Sequence, residues 1–418
     1  LAELGTIADC FVLHNRDIVN RCDDSLVQVI GHEAHLFRRS RGYVPRPFPV
    51  KRDHGPPVIL GIGGEMKNTF CLLRGDQAFM SPYIGEIDTV EGEENLLESL
   101  LRFQALMGIE PDIVAFDAHP AYASAHIAQK IHAEVYEEVY HHHAHLASVM
   151  ADNNLENKKT IGVILDGTGY GPDGHLWGFE VLVGDYTEFD RLYHLAYVPL
   201  PGGEAAIRQP WRTALAYLHT FLGNKAGEYA KAFFRDKDTG FVGQMIASRF
   251  NSPLSSGCGR LFDAVSAILG VCSENTYEGQ AAIELGELVA HMPAVSTHDP
   301  YDYEIGDGAI LPGGILNGII RDHLRGIPAS TISARFHQTL VAVICDLAER
   351  AFSQTGVRRV VLSGGTWQNT YLFRAAKSAL NARGFDVLYH RHVPANDGGI
   401  ALGQAMAAHW RWRKKQGR

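Results

Sequence analysis

The chain has 418 residues, of which 46% are hydrophobic and 20% charged, a composition typical of a folded protein with two or three compact units and not of a disordered one. No stretch approaches the roughly 18 to 20 consecutive apolar residues that a membrane helix needs, and no cleavable leader is recognisable, so we expect a cytoplasmic protein without membrane contact. The formal net charge of -9 disfavours a broad nucleic-acid-binding surface, which requires clustered Lys and Arg.

The six cysteines are scattered along the sequence. They form no C-x-x-C pair and no regular spacing, which argues against a disulfide framework and against a thiolate zinc site. Any metal is therefore expected on histidines and carboxylates. The cysteines are Cys10, Cys22, Cys71, Cys258, Cys272 and Cys345.

The first 50 residues are rich in arginine and end in a proline-rich segment. Pro45, Pro47 and Pro49 are followed by Pro56 and Pro57. Proline cannot continue a helix or a central strand, and such a stiff segment is a natural linker. We therefore place a domain boundary near residues 46–57.

Two later segments share one design, in which an apolar strand enters a glycine turn and a second apolar strand leaves it. They cover residues 58–73 and 161–183. Further strands are predicted at 113–117 and 359–365, and residues 333–352 have helical apolar spacing. Strands that alternate with helices predict an α/β fold, and the repeated hairpin suggests two related lobes with a ligand cleft between them.

A histidine cluster, residues 141–145 (HHHAH), follows an apparent strand at 133–140. If a helix begins here, His141 and His145 lie four residues apart on one face and can bind one cation. The alternative is a set of surface or capping histidines. Oxygen ligands would come from Asp166 and Asp397, each expected where a strand gives way to glycine, although a turn-capping role is open for both.

Glycine loops at residues 61–64, 167–171 and 364–365 each follow an apolar strand. Their backbone N–H groups could bind phosphate, with Lys67 as a nearby point charge. None matches the P-loop or the Rossmann fingerprint, and each alone is more often a simple turn. Three such loops in one chain favour a bound nucleotide.

A polar block at residues 201–212 carries Glu204, Arg208 and Arg212 among glycines and prolines. Two arginines in such a loop suit an anionic substrate, and we assign Arg208 a candidate catalytic role. The alternative is a loop tied by its own salt bridges. Two more blocks, 257–265 and 277–282, are similarly dense in polar residues and glycine.

In these residues the sequence resembles the C-terminal part of the HypF-type carbamoyltransferases, the enzymes that begin cyanide-ligand synthesis for nickel-iron hydrogenases. The matching motifs run in order from about residue 58 to the end, and as a set they are very specific. They lie at residues 63–70, 141–145, 166–171, 201–212, 259–265, 277–282, 363–369 and 396–399.

The resemblance implies an actin-like ATPase fold of two ribonuclease-H-like lobes, at about 56–157 and 158–418 within a carbamoyltransferase domain of residues 51–418. Residues 1–50 resemble the end of the YrdC-like α/β domain of the same proteins, in segments 13–16, 22–25 and 38–45. This sequence would then hold only the remnant of that domain.

The resemblance also implies roles for individual residues. His141, His145 and Asp397 match metal ligands, and Asp166 is a further ligand or a catalytic carboxylate beside Lys67 and Arg208. Arg260 stands where the tRNA-modifying relatives carry glutamate. The residues expected to bind the nucleotide are Gly167, Gly169, Gly259, Asp263, Gly364, Gly365 and Asn369.

The implied activity is transfer of a carbamoyl group from carbamoyl-adenylate to the C-terminal cysteine thiol of a HypE-type partner. In the family, the YrdC-like domain makes carbamoyl-adenylate from carbamoyl phosphate and ATP, with Mg²⁺ expected alongside ATP. Iron, zinc or manganese would suit two histidines and carboxylates. Alternatives are a small-molecule O-carbamoyltransferase, a tRNA threonylcarbamoyl transferase, and a nucleotide-binding scaffold without chemistry.

Overall fold

The computed structural model describes residues 2–52, 55, 57–292 and 299–417. Its strands are β1 (Leu26–Ile30), β2 (Glu33–Arg38), β3 (Phe48–Pro49), β4 (Ile59–Gly61), β5 (Cys71–Arg74), β6 (Gln77–Met80), β7 (Ile113–Asp117), β8 (Val135–Val139), β9 (Thr160–Tyr170), β10 (Leu176–Gly184), β11 (Phe189–Leu195), β12 (Val198–Pro199), β13 (Leu254–Ser255), β14 (Glu304–Gly306), β15 (Ala309–Leu311), β16 (Arg359–Ser363) and β17 (Asp386–Tyr389).

Helices cover both sheets and connect their strands. They are α1 (Val90–Met107), α2 (Ala123–Lys130), α3 (His141–Asp152), α4 (Glu204–Arg208), α5 (Pro210–Leu222), α6 (Ala226–Phe233), α7 (Thr239–Ser248), α8 (Cys258–Ile268), α9 (Gln280–Glu287), α10 (Gly313–Leu324), α11 (Ala329–Thr355), α12 (Thr370–Ala382) and α13 (Ile400–Lys415). None of these helices combines the length and the apolar character that crossing a bilayer requires.

The two large sheets follow one plan. The first has the order β3-β6-β5-β4-β7-β8, and the central path of the second is β14-β15-β11-β10-β9-β16-β17. In each, three consecutive strands form an antiparallel meander, and two later strands add in parallel on the other side of the first strand. The strand order 3-2-1-4-5 thus occurs twice, which gives the two ribonuclease-H-like lobes of an actin-like ATPase fold.

The hairpins predicted at 58–73 and 161–183 are confirmed as β4–β5 and β9–β10, and the helix predicted at 333–352 lies within α11. The proline-rich segment does more than link. Phe48 and Pro49 form β3, which pairs with β6 at the edge of the first sheet, a position that tolerates proline because the outer N–H is not needed. Pro56, in the same segment, lies outside the described residues.

Helices α3 and α13 lie between the two sheets and hold them together. One hydrophobic core joins Ile59 of β4 and Ile164 of β9 with apolar side chains of both helices. The helices approach so closely that a Cβ on Gly403 of α13 would lie 1.8 Å from the carbonyl oxygen of Ala144. The last helix of the chain thus packs against the first sheet, and the start of α3 lies at the junction of the lobes.

The ribbon β1–β2 packs beside β17 of the second sheet. The imidazole of His35 stacks on Tyr389, with ring centroids 5.5 Å apart. Lys377 donates to Glu33 at 3.3 Å, and the Tyr389 hydroxyl also donates to this carboxylate. The ribbon is therefore tied to the second lobe by both ring stacking and charge.

The environment of a buried histidine in α11 predicts that the protein becomes less stable as the pH falls. His337 lies 2.7 Å from the Ser333 carbonyl and accepts from Asn369 at 2.8 Å, and burial lowers its pKa to about 4. An unfolded histidine titrates near 6.5, so between these values the unfolded state binds more protons, and the free energy of unfolding falls as the pH falls.

We expect His337→Gln to remove the part of the pH dependence of the unfolding free energy that comes from this histidine. The difference in unfolding free energy between wild type and the variant, measured by urea denaturation, should be largest near pH 7 and should narrow toward pH 4. A difference that stays constant over this range would contradict the assignment.

Candidate metal centre

The histidine cluster opens α3, as the strand-then-helix pattern predicted. The helix begins at His141 directly after β8 and Tyr140. Residues four apart share a helix face, and the rings of His141 and His145 have centroids 5.0 Å apart. Both side chains are buried. The helix therefore presents two imidazoles at one point between the lobes.

Two carboxylates lie beside these imidazoles and complete a set of four potential metal ligands. One ligand atom each from His141, His145, Asp166 and Asp397 lies within 4.8 Å of all the others. Ligand atoms about 2.1 Å from a tetrahedrally bound cation are about 3.4 Å apart. The observed distances to Asp166 Oδ2 are 3.4 Å from His141 Nε2 and 3.0 Å from His145 Nε2, and those to Asp397 Oδ1 are 3.6 and 3.8 Å.

The prediction that Asp166 ends its strand is wrong. β9 continues to Tyr170, and its pairing with β10 shifts register between Trp177 and Phe179. Such a bulge kinks the strand and re-aims a side chain, which places the Asp166 carboxylate beside the histidines. Asp397 lies in a short 3-10 turn, Asp397–Gly399, directly before α13, and not at the end of β17.

The four groups form a charge cluster that suits a cation. Burial alone would lower the pKa of His141, but the charge of Asp397 and the hydrogen bond to Asp117 outweigh it, so the pKa of His141 is raised well above its ordinary value. Burial would raise the pKa values of Asp166 and Asp397, yet the two histidines hold both below the usual range. The carboxylates and the imidazoles thus favour each other's charged forms, and a metal ion bound here would take the place of the imidazole protons.

The donor set fits a divalent metal. Within the described residues, the buried Nε2 of His141 has no partner in hydrogen-bonding geometry, as expected of an atom reserved for a metal. Two imidazoles with two carboxylates suit zinc, iron and manganese.

Asp117 orients His141 and was not singled out from the sequence. Its Oδ2 lies 2.8 Å from His141 Nδ1, and both side chains are fully buried. A carboxylate on the outer nitrogen fixes the tautomer, so that Nε2 presents its lone pair to a cation. The available signal was a carboxylate ending a buried parallel strand, β7.

His142 and His143 are buried and not on the surface. His143 Nε2 lies 2.8 Å from the Asp185 carbonyl, and its Nδ1 accepts from Arg411 at 3.0 Å. Burial lowers the pKa of His142 well below normal and that of His143 to about 4. Both stay neutral near pH 7 and add no charge to the site.

Lys67 and Arg208 differ in position. Lys67 ion-pairs with Glu278 of the second lobe. Burial would lower the pKa of Lys67, but Glu278 and Asp397 outweigh it and raise the pKa, which places the ammonium in the field of the carboxylates. Arg208 pairs with Glu204 one helical turn away at 2.6 Å, and both side chains are 73% exposed. Arg208 thus lies at the surface, where its charge is paired with Glu204 of the same short helix, and it is not near the four ligand groups by any contact of the described residues.

Several glycines predicted to bind nucleotide crowd around Asp166. Gly167 N–H donates to Asp166 Oδ1 at 2.8 Å, and Gly365 N–H does so at 3.4 Å. Gly364 has φ +107°, and a Cβ there would lie 2.2 Å from the Leu165 carbonyl. A Cβ on Gly259 would lie 3.1 Å from Gly167 Cα. These glycines let β9, β16 and α8 converge on one carboxylate.

Gly169 has a different role, because a Cβ there would lie 2.5 Å from His142 and 2.6 Å from His141. It makes room for the histidine rings.

Asp263 and Asn369 lie on the second lobe. Asp263 Oδ2 is 3.0 Å from Arg260 Nη2, but neither carboxylate oxygen has a hydrogen bond from the described residues, and burial raises the pKa of Asp263 to about 6. Asn369 caps α12 by accepting from Leu372 N–H at 3.0 Å. Asn369 therefore caps a helix, and its predicted contact with the nucleotide stays a prediction, whereas Asp263 has unused acceptor capacity.

Known families match both lobes. The family model described as "HypF Kae1-like domain" matches residues 54–152, and the model described as "Carbamoyltransferase, Kae1-like Domain, second subdomain" matches residues 162–404. This chain belongs to the HypF carbamoyltransferase family. Carbamoyltransferase HypF2 of Cupriavidus necator is 39% identical over 97% of this chain and 53% of its own length. A HypF homolog of the same organism is 35% identical over 86% of this chain and 93% of its own length.

Solved HypF structures have the same fold. Full-length HypF in the phosphate- and nucleotide-bound form is 41% identical with a TM-score of 0.91, over 98% of this chain and 53% of the solved one. The crystal structure of T.kodakarensis HypF is 30% identical with a TM-score of 0.88, over 98% of this chain and 55% of the solved one. The HypF-family fold expected from the motifs is thus confirmed, and the chain spans about half the length of most of these relatives.

Removal of either histidine should abolish tight metal binding. Loss of an outer-shell partner alone costs about 10- to 100-fold in metal affinity, so loss of a ligand in His141→Ala or His145→Ala should cost more than about 100-fold. The check is competition for Zn²⁺ with a chromophoric chelator. His143→Gln, a buried neighbour outside the four ligand groups, is the matched control and should bind as wild type does; equal affinity in all variants would refute the site.

Proposed function

We propose that this chain is a metal-dependent carbamoyltransferase that moves a carbamoyl group from carbamoyl-adenylate to a thiol. The observation that carries the proposal is the convergence of His141, His145, Asp166 and Asp397 at the junction of the two lobes. Membership of the HypF family supports the reaction class.

The four ligand groups would hold a divalent cation. When bound, the cation would act as a Lewis acid that polarises the carbamoyl oxygen, an effect that lowers the reaction barrier by several kcal/mol. Asp117 fixes the orientation of His141 through its 2.8 Å contact. Lys67, beside the carboxylates, would bind the phosphate of the leaving group as a point charge.

The second lobe would bind the adenylate. The loop of Gly364 and Gly365 lies directly beside Asp166. Asp263 has carboxylate oxygens without hydrogen bonds, but its side chain is fully buried, so we propose no ribose contact for it in this conformation. A HypF relative was solved with phosphate and nucleotide, which supports a nucleotide here. ATP with Mg²⁺ is the alternative occupant.

The acceptor we propose is the C-terminal cysteine of a HypE-type partner, in the maturation of nickel-iron hydrogenases. The thiolate sulfur forms a bond to the carbamoyl carbon, the bond from that carbon to the phosphate oxygen breaks, AMP leaves, and the thiol proton passes to solvent. The chain's own Cys71, Cys258 and Cys345 are buried. Burial raises the pKa of each of these thiols, so they are poor nucleophiles.

Mass spectrometry tests the proposal directly. The chain, carbamoyl-adenylate and a HypE-type protein should give one added carbamoyl group on the C-terminal cysteine, and a chelator should prevent it. Transfer to a small alcohol or to tRNA instead would favour the two other enzyme functions. Adenylate binding that persists without metal and yields no transfer would favour a scaffold.

Lys67→Met should separate chemistry from metal binding. Loss of one donor to developing charge commonly costs about 100-fold or more in kcat. Zn²⁺ binding should be retained or strengthened, because Lys67 is not a ligand and its positive charge lies near the ligand carboxylates. Lys231→Met, an exposed lysine of α6, is the control. Unchanged turnover in Lys67→Met, measured by AMP release, would exclude this role.

A further inference from the structure

The second nitrogen of His145 faces a hydroxyl. Its Nε2 lies 3.0 Å from Asp166 and points into the metal centre, while its Nδ1 lies 3.0 Å from the Oγ of Ser363. Ser363 is the last residue of β16 and is fully buried. If Nε2 presents its lone pair to a cation, Nδ1 carries the proton and donates it to Ser363.

The contacts continue away from the centre. Ser363 Oγ lies 2.8 Å from His390 Nε2, and His390 Nδ1 lies 3.4 Å from Asp152 Oδ2. Since Ser363 accepts from His145, its own hydrogen points to His390 Nε2, and His390 then carries its proton on Nδ1, toward the Asp152 carboxylate. This assignment of protons satisfies Ser363 and His390 Nε2, whereas the 3.4 Å approach of His390 Nδ1 to Asp152 lies outside hydrogen-bonding geometry and is a longer electrostatic contact. We call the series the Ser363–His390–Asp152 relay.

Asp152 is firmly held as an anion. Its carboxylate accepts from the backbone N–H groups of Arg391 at 2.6 Å and His392 at 3.0 Å, and it contacts His392 Nδ1 at 2.8 Å. Burial would raise the pKa of Asp152, but the contacts with His390 and His392 outweigh it and the pKa is lowered. Asp152 also ends α3, the helix whose first turn carries His141 and His145.

We propose that the Ser363–His390–Asp152 relay positions His145 as a metal ligand. The relay fixes the tautomer and the ring orientation of His145, and it connects the buried Asp152 carboxylate to that ring through two side chains. This rests on the proposed metal site. Outer-shell partners act on metal-bound histidines in this way. Asp117 contacts His141 directly, so each ligand histidine is supported by a carboxylate, one directly and one through two side chains.

The order Ser, His, Asp is also that of a nucleophilic triad. Two observations exclude that use here. Ser363 has no exposed surface, and its hydroxyl lies between two imidazoles, so it has no access to a substrate carbon. His390 and Ser363 are therefore positioning residues.

The experiment measures Zn²⁺ affinity by chelator competition on the full chain. Ser363→Ala and His390→Gln should each weaken binding by about 10- to 100-fold. Because His390 acts through Ser363, the double variant should be no weaker than Ser363→Ala alone, a non-additivity that a double-mutant cycle reports. His409→Gln changes a buried histidine of α13 that is not a member of the relay, and this variant should bind Zn²⁺ as wild type does. Circular dichroism checks that each variant is folded, and Ser363→Ala removes only one oxygen.

Wild-type affinity in folded Ser363→Ala or His390→Gln would overturn the relay while leaving the metal site intact. Additive losses in the double variant would equally overturn it, because His390 would then act by another route. Failure of the wild type itself to bind Zn²⁺, or unchanged binding in Asp397→Asn, would instead remove the metal site, and the relay with it.

Discussion

Two carboxylates, one buried (Asp166) and one partly buried (Asp397), face two buried imidazoles, and this charge cluster is the constraint on which the rest of the structure depends. Charges taken out of water are costly unless a partner of opposite sign lies beside them. Asp166 and Asp397 come from distant parts of the chain and meet His141 and His145 within 4.8 Å. The cluster is consistent with a site organised for a divalent cation, and much of the surrounding packing holds these four groups in place.

The fold supplies that geometry through close backbone approach. Gly403 allows α13 to pack directly on α3, Gly169 leaves room for the histidine rings, and Gly364 brings β16 against β9. A side chain at any of these positions would push the ligand-bearing elements apart. The glycines that the sequence suggested as phosphate loops thus also have a packing role around the metal centre.

The sequence predicted the parts of the site that follow local rules. A helix after β8 put His141 and His145 on one face, and two hairpins predicted two lobes. It missed Asp117, Ser363, His390 and Asp152, because each is ordinary in its own segment and meets its partner only in the folded chain. The re-aiming of Asp166 depends on a register shift against β10, which residue spacing does not reveal. The pairing of Arg208 with Glu204, four residues away, is the alternative that the sequence had left open for this block. The packing of α13 on the first sheet is likewise a long-range property.

The most direct test of the account is a crystal structure of the chain loaded with Zn²⁺, with anomalous scattering recorded at the zinc edge. The account predicts one strong peak bonded to His141 Nε2, His145 Nε2 and the carboxylates of Asp166 and Asp397, at about 2.0 to 2.2 Å. Absence of a peak between these residues, or a peak held by other side chains, would contradict it.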